Sequence, residues 1–160
     1  MEFGVMGDTI PMRDTVATQM KEAMKAGEKT RVGALRLIMA ALKEREIEAR
    51  GSGKIVSRAD ELALLTKMVK SRQESASIYR DNGRPELAAQ EEAEIAVLGE
   101  FLPKQMDEAA VIAAAKAVIA VVGAASMRDM GKVVAQLKDS YPGQMDFAKA
   151  SVIVKGLLNG

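Results

Sequence analysis

The chain has 160 residues, of which 48% are hydrophobic, 28% charged and only 3% aromatic, with a net charge of +1. That is an ordinary globular mixture, sized for one domain or two small packed subdomains. Cys and His are both absent, which excludes a disulfide framework, zinc sites built from those residues, and Cys–His or Ser–His–Asp catalysis.

In chain order, Met1–Pro11 holds Glu2 and Asp8 but no Lys or Arg. It lacks the basic start and apolar core of a secretory signal. It reads as a poorly ordered extension, with Met12 as a natural start. The first helix is predicted over about Met12 to Ala26, with Val16, Met20, Ala23 and Met24 on one face and Gly27 at its C-terminal cap. The second runs from about Glu28 to Arg50 on the stripe Val32, Leu35, Ile38, Met39, Leu42 and Ile47, and Gly51 ends it. Gly51-Ser-Gly-Lys-Ile-Val56 is the clearest loop. Ser57 with Asp60 three residues later forms a capping box, opening a third helix through Leu62, Leu65, Met68, Val69 and Ile78 to about Tyr79. After Asp81-Asn-Gly83, a fourth helix starts near Pro85 and reaches Glu100, turning Ala88, Ile95, Leu98 and Phe101 inward.

Leu102-Pro103 is the expected subdomain boundary, because Pro restricts its predecessor and cannot continue a helix. Three shorter helices follow, over about Asp107–Val121, Met127–Lys138 and Met145–Leu158. Gly123 stops the first, Ser126 with Asp129 makes a second capping box, and Tyr141-Pro-Gly143 turns between the last two. The expected architecture is all-α and multihelical: an extension over 1–11, a four-helix part over 12–103 and a three-helix part over 104–160. Eleven Met residues suit gap-filling in an aliphatic core. No apolar run approaches the roughly 20 residues that span a bilayer, so no membrane partner is expected and the cytoplasm is the expected location.

Several segments invite a chemical reading. Gly51-Ser-Gly53-Lys54 superficially suggests a nucleotide loop, yet Ile55 follows Lys54 where a P-loop has Ser or Thr, and no strand precedes it. Glu86, Glu91, Glu92, Glu94 and Glu100 offer acid–base or Mg²⁺-binding carboxylates. The plainer reading is a solvated acidic face, with a link from Arg72 or Arg84 as a middle case. Ser71 and Ser75 lie near Lys67 and Lys70, but no glycine-rich oxyanion segment accompanies them. No catalytic residue, metal ligand or cofactor is assigned.

Charge is unevenly distributed. Lys29–Arg58 carries eight basic residues against three acidic, a net +5, whereas Arg84–Glu100 carries a net −4. A basic helix followed by a basic Gly-rich loop suits RNA phosphates, with Arg36, Lys43, Arg50 and Lys54 as candidates. The plain alternative is a Lys/Arg surface neutralised by the acidic helix. So few aromatics leave no platform for stacking bases, so recognition of folded RNA through shape and phosphates is the version that stands.

Several phrases occur in a telling order: Met24-Lys-Ala-Gly-Glu-Lys-Thr-Arg31, Leu35-Arg-Leu-Ile-Met-Ala-Ala-Leu-Lys43, Lys70-Ser-Arg-Gln-Glu-Ser-Ala-Ser-Ile-Tyr79, Glu91-Glu-Ala-Glu-Ile95, Phe101-Leu-Pro-Lys-Gln105 and Gly123-Ala-Ala-Ser-Met-Arg-Asp-Met-Gly-Lys132. Together they resemble the GatB/YqeY family over about Met12 to Leu158. The chain looks like a stand-alone YqeY-type protein, similar to the tail of the B subunit of the tRNA-dependent amidotransferase. In that complex, Glu or Asp charged on tRNA is amidated with glutamine as nitrogen donor. The family description, a carbon–nitrogen ligase with glutamine as amido-N-donor, fits the parent complex better than this chain.

The resemblance implies a tRNA-engaging role, with Ser126, Met127, Gly131 and Lys132 as matching positions and Arg128 beside them. Each of the first three has a plain reading: Ser126 as a cap, Met127 as core, Gly131 as a close helix contact. The implied partners are tRNA and an amidotransferase or translation component. Two other functional classes stay open, a helical protein-interaction module without an RNA role and an autonomous amidotransferase or hydrolase.

Overall fold

A computed structural model describes residues 10–159; the expectation of a disordered start falls mostly on residues 1–9, outside the described part. The chain is all-α, with no strand among the described residues. It divides into two compact units, Met1–Leu102 and Pro103–Gly160.

Among the described residues the first unit contains four helices: α1 (Met12–Ala26), α2 (Lys29–Gly51), α3 (Arg58–Asp81) and α4 (Pro85–Gly99). Local signals set their ends. Gly27 sits at φ 73° and lets Glu28 N–H donate back to the Ala23 carbonyl at 3.0 Å, satisfying the last turn of α1. Ser57 and Asp60 form the reciprocal capping box at the start of α3, and Pro85 occupies the first turn of α4.

α2 buries Ala34, Leu35, Ile38, Leu42 and Ala49, and the first four of these meet Val16 of α1, Leu65 of α3 and Leu98 of α4 in one core. Leu35, Ile38, Leu65 and Leu98 are almost fully enclosed, each contributing about 1.5–3 kcal/mol of apolar transfer. The incoming chain is fastened here too. Arg58 donates to the Ile10 carbonyl, and Met12 N–H donates to Glu61 Oε2 at 3.2 Å.

The second unit contains α5 (Glu108–Val122), a 3₁₀ turn (Met127–Asp129) that runs directly into α6 (Met130–Ser140), and α7 (Phe147–Asn159). Asp107 caps α5 by accepting from Ala110 N–H at 2.8 Å, and Asp146 accepts from Ala148 N–H at 2.9 Å at the start of α7. Val111, Ala115, Val133, Leu137, Met145, Ala150 and Val154 make this unit's own core. Gln105 donates to the Gly143 carbonyl at 2.7 Å, and Met106 N–H to the Gln144 carbonyl at 2.9 Å. These bonds tie the lead-in of α5 to the turn between α6 and α7.

Three apolar positions depart from the sequence reading. Met24 is 57%, Ile47 66% and Ile78 58% exposed, while Ala23, Ala49 and Ala76 take the buried places. The interhelical contacts are close enough that Ala fills them, which rotates the buried arc away from the larger neighbours. Met12 and Met145 are buried and Met20, Met39, Met68, Met106 and Met130 pack partly buried against the two cores, the gap-filling use.

Among the described residues no single helix is long and apolar enough to cross a membrane. The α5–α6 pair has the length, but it bends by 100° and buries its apolar faces in the core of its own unit.

Candidate functional site

Of the nine candidate residues, five form one surface of the second unit. Ser126, Met127, Arg128, Gly131 and Lys132 are all exposed, gathered within about two turns where the 3₁₀ turn enters α6. The local fold explains the gathering. Gly123, at φ 69°, ends α5, and the chain then turns sharply at Ser126 into the new helix. Asp129 fastens that turn by accepting from Ala125 N–H at 2.9 Å and from Ser126 N–H at 3.4 Å. The Ala125 N–H, more than any other group, holds the Asp129 carboxyl below its usual range, with Lys132 adding to the effect. Its negative charge is thus committed to main-chain donors, and Arg128 and Lys132 remain as exposed cations.

Two of the plain readings fail here. Met127 is 38% exposed, so it is not a core side chain. A Cβ built on Gly131 meets nothing within 4 Å, so Gly131 is not there to let two helices of this chain approach. A glycine inside a helix costs about 0.8–1 kcal/mol relative to Ala, and here no internal contact offsets that cost. The space above Gly131 is open out to 4 Å from where a Cβ would stand.

The other four candidates belong to the first unit. Arg36, Lys43 and Arg50 are exposed on α2, and Lys54 is exposed in the loop after it. None of them makes an ion pair among the described residues. The acidic α4 is neutralised mostly from elsewhere: Arg72 of α3 binds Glu94 at 2.7 Å, Arg80 of α3 binds Glu92, and Arg84 binds Glu86 at 2.8 Å. From α2, the Arg31 guanidinium forks onto both oxygens of Glu100, and Lys29 lines the cleft beside Ala93 and Val97 of α4. The Arg31–Glu100 hydrogen bond is the main reason that Arg31 titrates above and Glu100 below the ordinary value. The link expected from Arg72 or Arg84 to one of these carboxylates is present from both arginines, and it gives Glu94 and Glu86 a structural use.

Gly51-Ser-Gly53-Lys54 has a structural use as well. Gly53, at φ 70°, lets its own N–H donate to the Arg50 carbonyl at 3.1 Å and that of Lys54 to the Ala49 carbonyl at 2.8 Å. With Ser52 N–H donating to the Ala49 carbonyl at 3.1 Å as well, three successive amides of the loop are spent on capping α2.

Two open clefts lie in the first unit. One, about 430 Å³, is lined by Glu44, Arg45, Glu48, Asp60, Leu64 and Lys67 between α2 and α3. The other, about 290 Å³, lies by Glu28, Arg31 and Val97. In the first, Asp60 is occupied by the Ser57 cap and lies 3.9 Å from Arg45. Among the described residues no group of three or more acidic side chains is placed to hold a metal ion.

Compared with known families, residues 13–158 match the model described as Yqey-like protein. A search of curated proteins returns no match.

Proposed function

We propose, because this chain belongs to the YqeY-like family, that it is a tRNA-binding accessory module related to tRNA-dependent amidation, with no catalytic step of its own. The observation that carries the reading is the exposed surface at Ser126–Lys132. There two cations flank a helical glycine that has no packing partner. Cations positioned by a capped helix start suit sugar–phosphate contacts, which fix orientation without reading sequence. A glycine lets the RNA backbone approach closely where any Cβ would stand between. Arg36, Lys43, Arg50 and Lys54, unpaired and exposed, supply further phosphate-binding charge. In this reading the carbon–nitrogen ligase chemistry belongs to an amidotransferase partner, and the chain works in translation in the cytoplasm.

The test is fluorescence anisotropy of labelled tRNA with the wild-type chain and with Lys132→Glu. Reversing a phosphate-contacting charge weakens binding roughly tenfold or more, and unchanged affinity removes this surface from the site. A purely protein-binding role is the competing reading, favoured by the near-neutral net charge. It predicts that tRNA fails to bind even at low salt.

A further inference from the structure

The cations of α2 are arranged as well as numerous. Lys29, Arg36, Lys43 and Arg50 follow one another at intervals of seven residues. All four lie inside the one continuous helix Lys29–Gly51, and all four are exposed. Seven residues turn a helix through nearly two full revolutions with a drift of about 20°, so the four side chains form a single row. Successive members are about 10.5 Å apart and the row is about 31 Å long. Gly33, Ala40 and Ile47, all exposed, lie beside the row and bring no carboxylate to it. Glu46, the acidic residue nearest the row on the other side, is held by Arg13 of α1 at 3.1 Å.

We infer that this row is a ridge for the sugar–phosphate backbone of double-helical RNA, gripping it through phosphates without reading bases. The inference rests on the RNA-binding reading above and adds to it Lys29, a geometry and a ligand shape. A row of cations along one rigid helix fits the rigid sugar–phosphate backbone of a duplex. The absence of exposed aromatics along α2 leaves single-stranded bases nothing to stack on. A lipid surface fits less well, because an interfacial helix must offer a broad apolar face to the acyl chains, and on α2 Leu35, Ile38 and Leu42 are buried in the core while, of its large apolar side chains, Leu37 and Ile47 alone are exposed. Arg and Lys tips on long stems absorb the small angular drift along the row.

The experiment measures binding of a labelled plain RNA hairpin duplex by the full chain across a salt series, for wild type and for K29Q/R36Q/K43Q/R50Q. Circular dichroism checks that the helices persist. With about 0.9 of log–log salt slope per phosphate contact, the figure for a B-form duplex, the fourfold variant loses about 3 to 4 of slope. Its affinity at 50 mM salt falls by at least about a hundredfold. Should the fourfold variant misfold, R36Q and R50Q singly each remove roughly one unit of slope. E44Q, on the same helix but away from the row, leaves the slope unchanged.

An unchanged slope in the fourfold variant, or an equal loss in E44Q, overturns the ridge. So does sedimentation with phosphatidylserine vesicles that the same four substitutions abolish, which would assign the row to membranes. Failure of the ridge is separable from failure of the proposed function. The ridge is read on a plain duplex, whereas the Ser126–Lys132 surface is read on tRNA with the α2 row intact.

Discussion

In the first unit, sixteen Lys/Arg stand against seventeen Asp/Glu, and many are tied in pairs that cross between helices. Arg13–Glu46 joins α1 to α2, Arg31–Glu100 joins α2 to the end of α4, and Arg72–Glu94 joins α3 to α4. In the second unit, seven basic residues stand against five acidic, and the polar side chains mostly serve the main chain. Asp107, Asp129 and Asp146 accept from N–H groups at helix starts, and Gln105 donates to loop carbonyls. The helices there are held chiefly by apolar packing. What the contrast teaches is where free charge is found. In the first unit it includes the exposed Arg36, Lys43 and Arg50 of α2, and in the second it includes Arg128 and Lys132 at the start of α6.

The largest effect that tests this contrast is a cut in either core. Leu65→Ala in the first unit and Leu137→Ala in the second each cost about 2–5 kcal/mol, since both side chains are fully buried. Amide hydrogen exchange localises the damage. With two separate cores, Leu137→Ala loosens residues 103–160 and leaves the slow amides of α3 protected, whereas loss of protection along the whole chain breaks the comparison.

Smaller is the loss of the fork between Arg31 and Glu100. Their side chains are 22% and 46% exposed, so Arg31→Ala costs about 1 kcal/mol or less by chemical denaturation. The sign with pH follows from the lowered Glu100 carboxyl. The stabilisation is full above the unfolded carboxylate value of about 4.3 and disappears as pH falls through the lower folded value. The variant and wild type therefore converge in acid.

Gly131→Ala acts in the opposite direction on stability and function. The new methyl meets open space, so the helix gains up to about 1 kcal/mol, seen as a higher Tm. If an RNA backbone lies against the glycine, tRNA affinity falls at the same time. A stabilised variant with full affinity would sharpen the picture by removing Gly131 from the surface.

The smallest expected effect concerns Glu61, whose carboxyl is pushed above its ordinary value chiefly by burial, against the N–H of Met12. Its folded value is raised, so wild-type stability from this group is highest in acid and declines as pH rises through that value. Glu61→Gln removes this decline, flattening the stability profile above the unfolded carboxylate value of about 4.3 in thermal melts.

Much of this was legible in the sequence because it is local. The Ser57–Asp60 capping box, the αL glycines at Gly27 and Gly123, and Pro85 in a first turn are signals within four residues. They set the helix ends to within about two positions. Arg72–Glu94 was readable as a charge pair because α3 and α4 follow one another across a short turn. The buried arc of α2 was less readable. Whether Ile47 or Ala49 faces inward depends on how closely the neighbouring helices approach, which periodicity does not encode. Lys29 joins the α2 row only when charge is projected around the helix and not summed along the segment. The spacing of seven was the available signal. Met127 was assigned two readings, and only its exposure separates them.

The central claim, that this chain binds folded tRNA, is tested most directly by titrating labelled tRNA across a salt series with a plain RNA duplex as competitor. The claim predicts a linear fall of log affinity with log salt, together with residual tRNA binding that excess duplex does not displace. Absence of binding at low salt, or complete displacement by plain duplex, would contradict it.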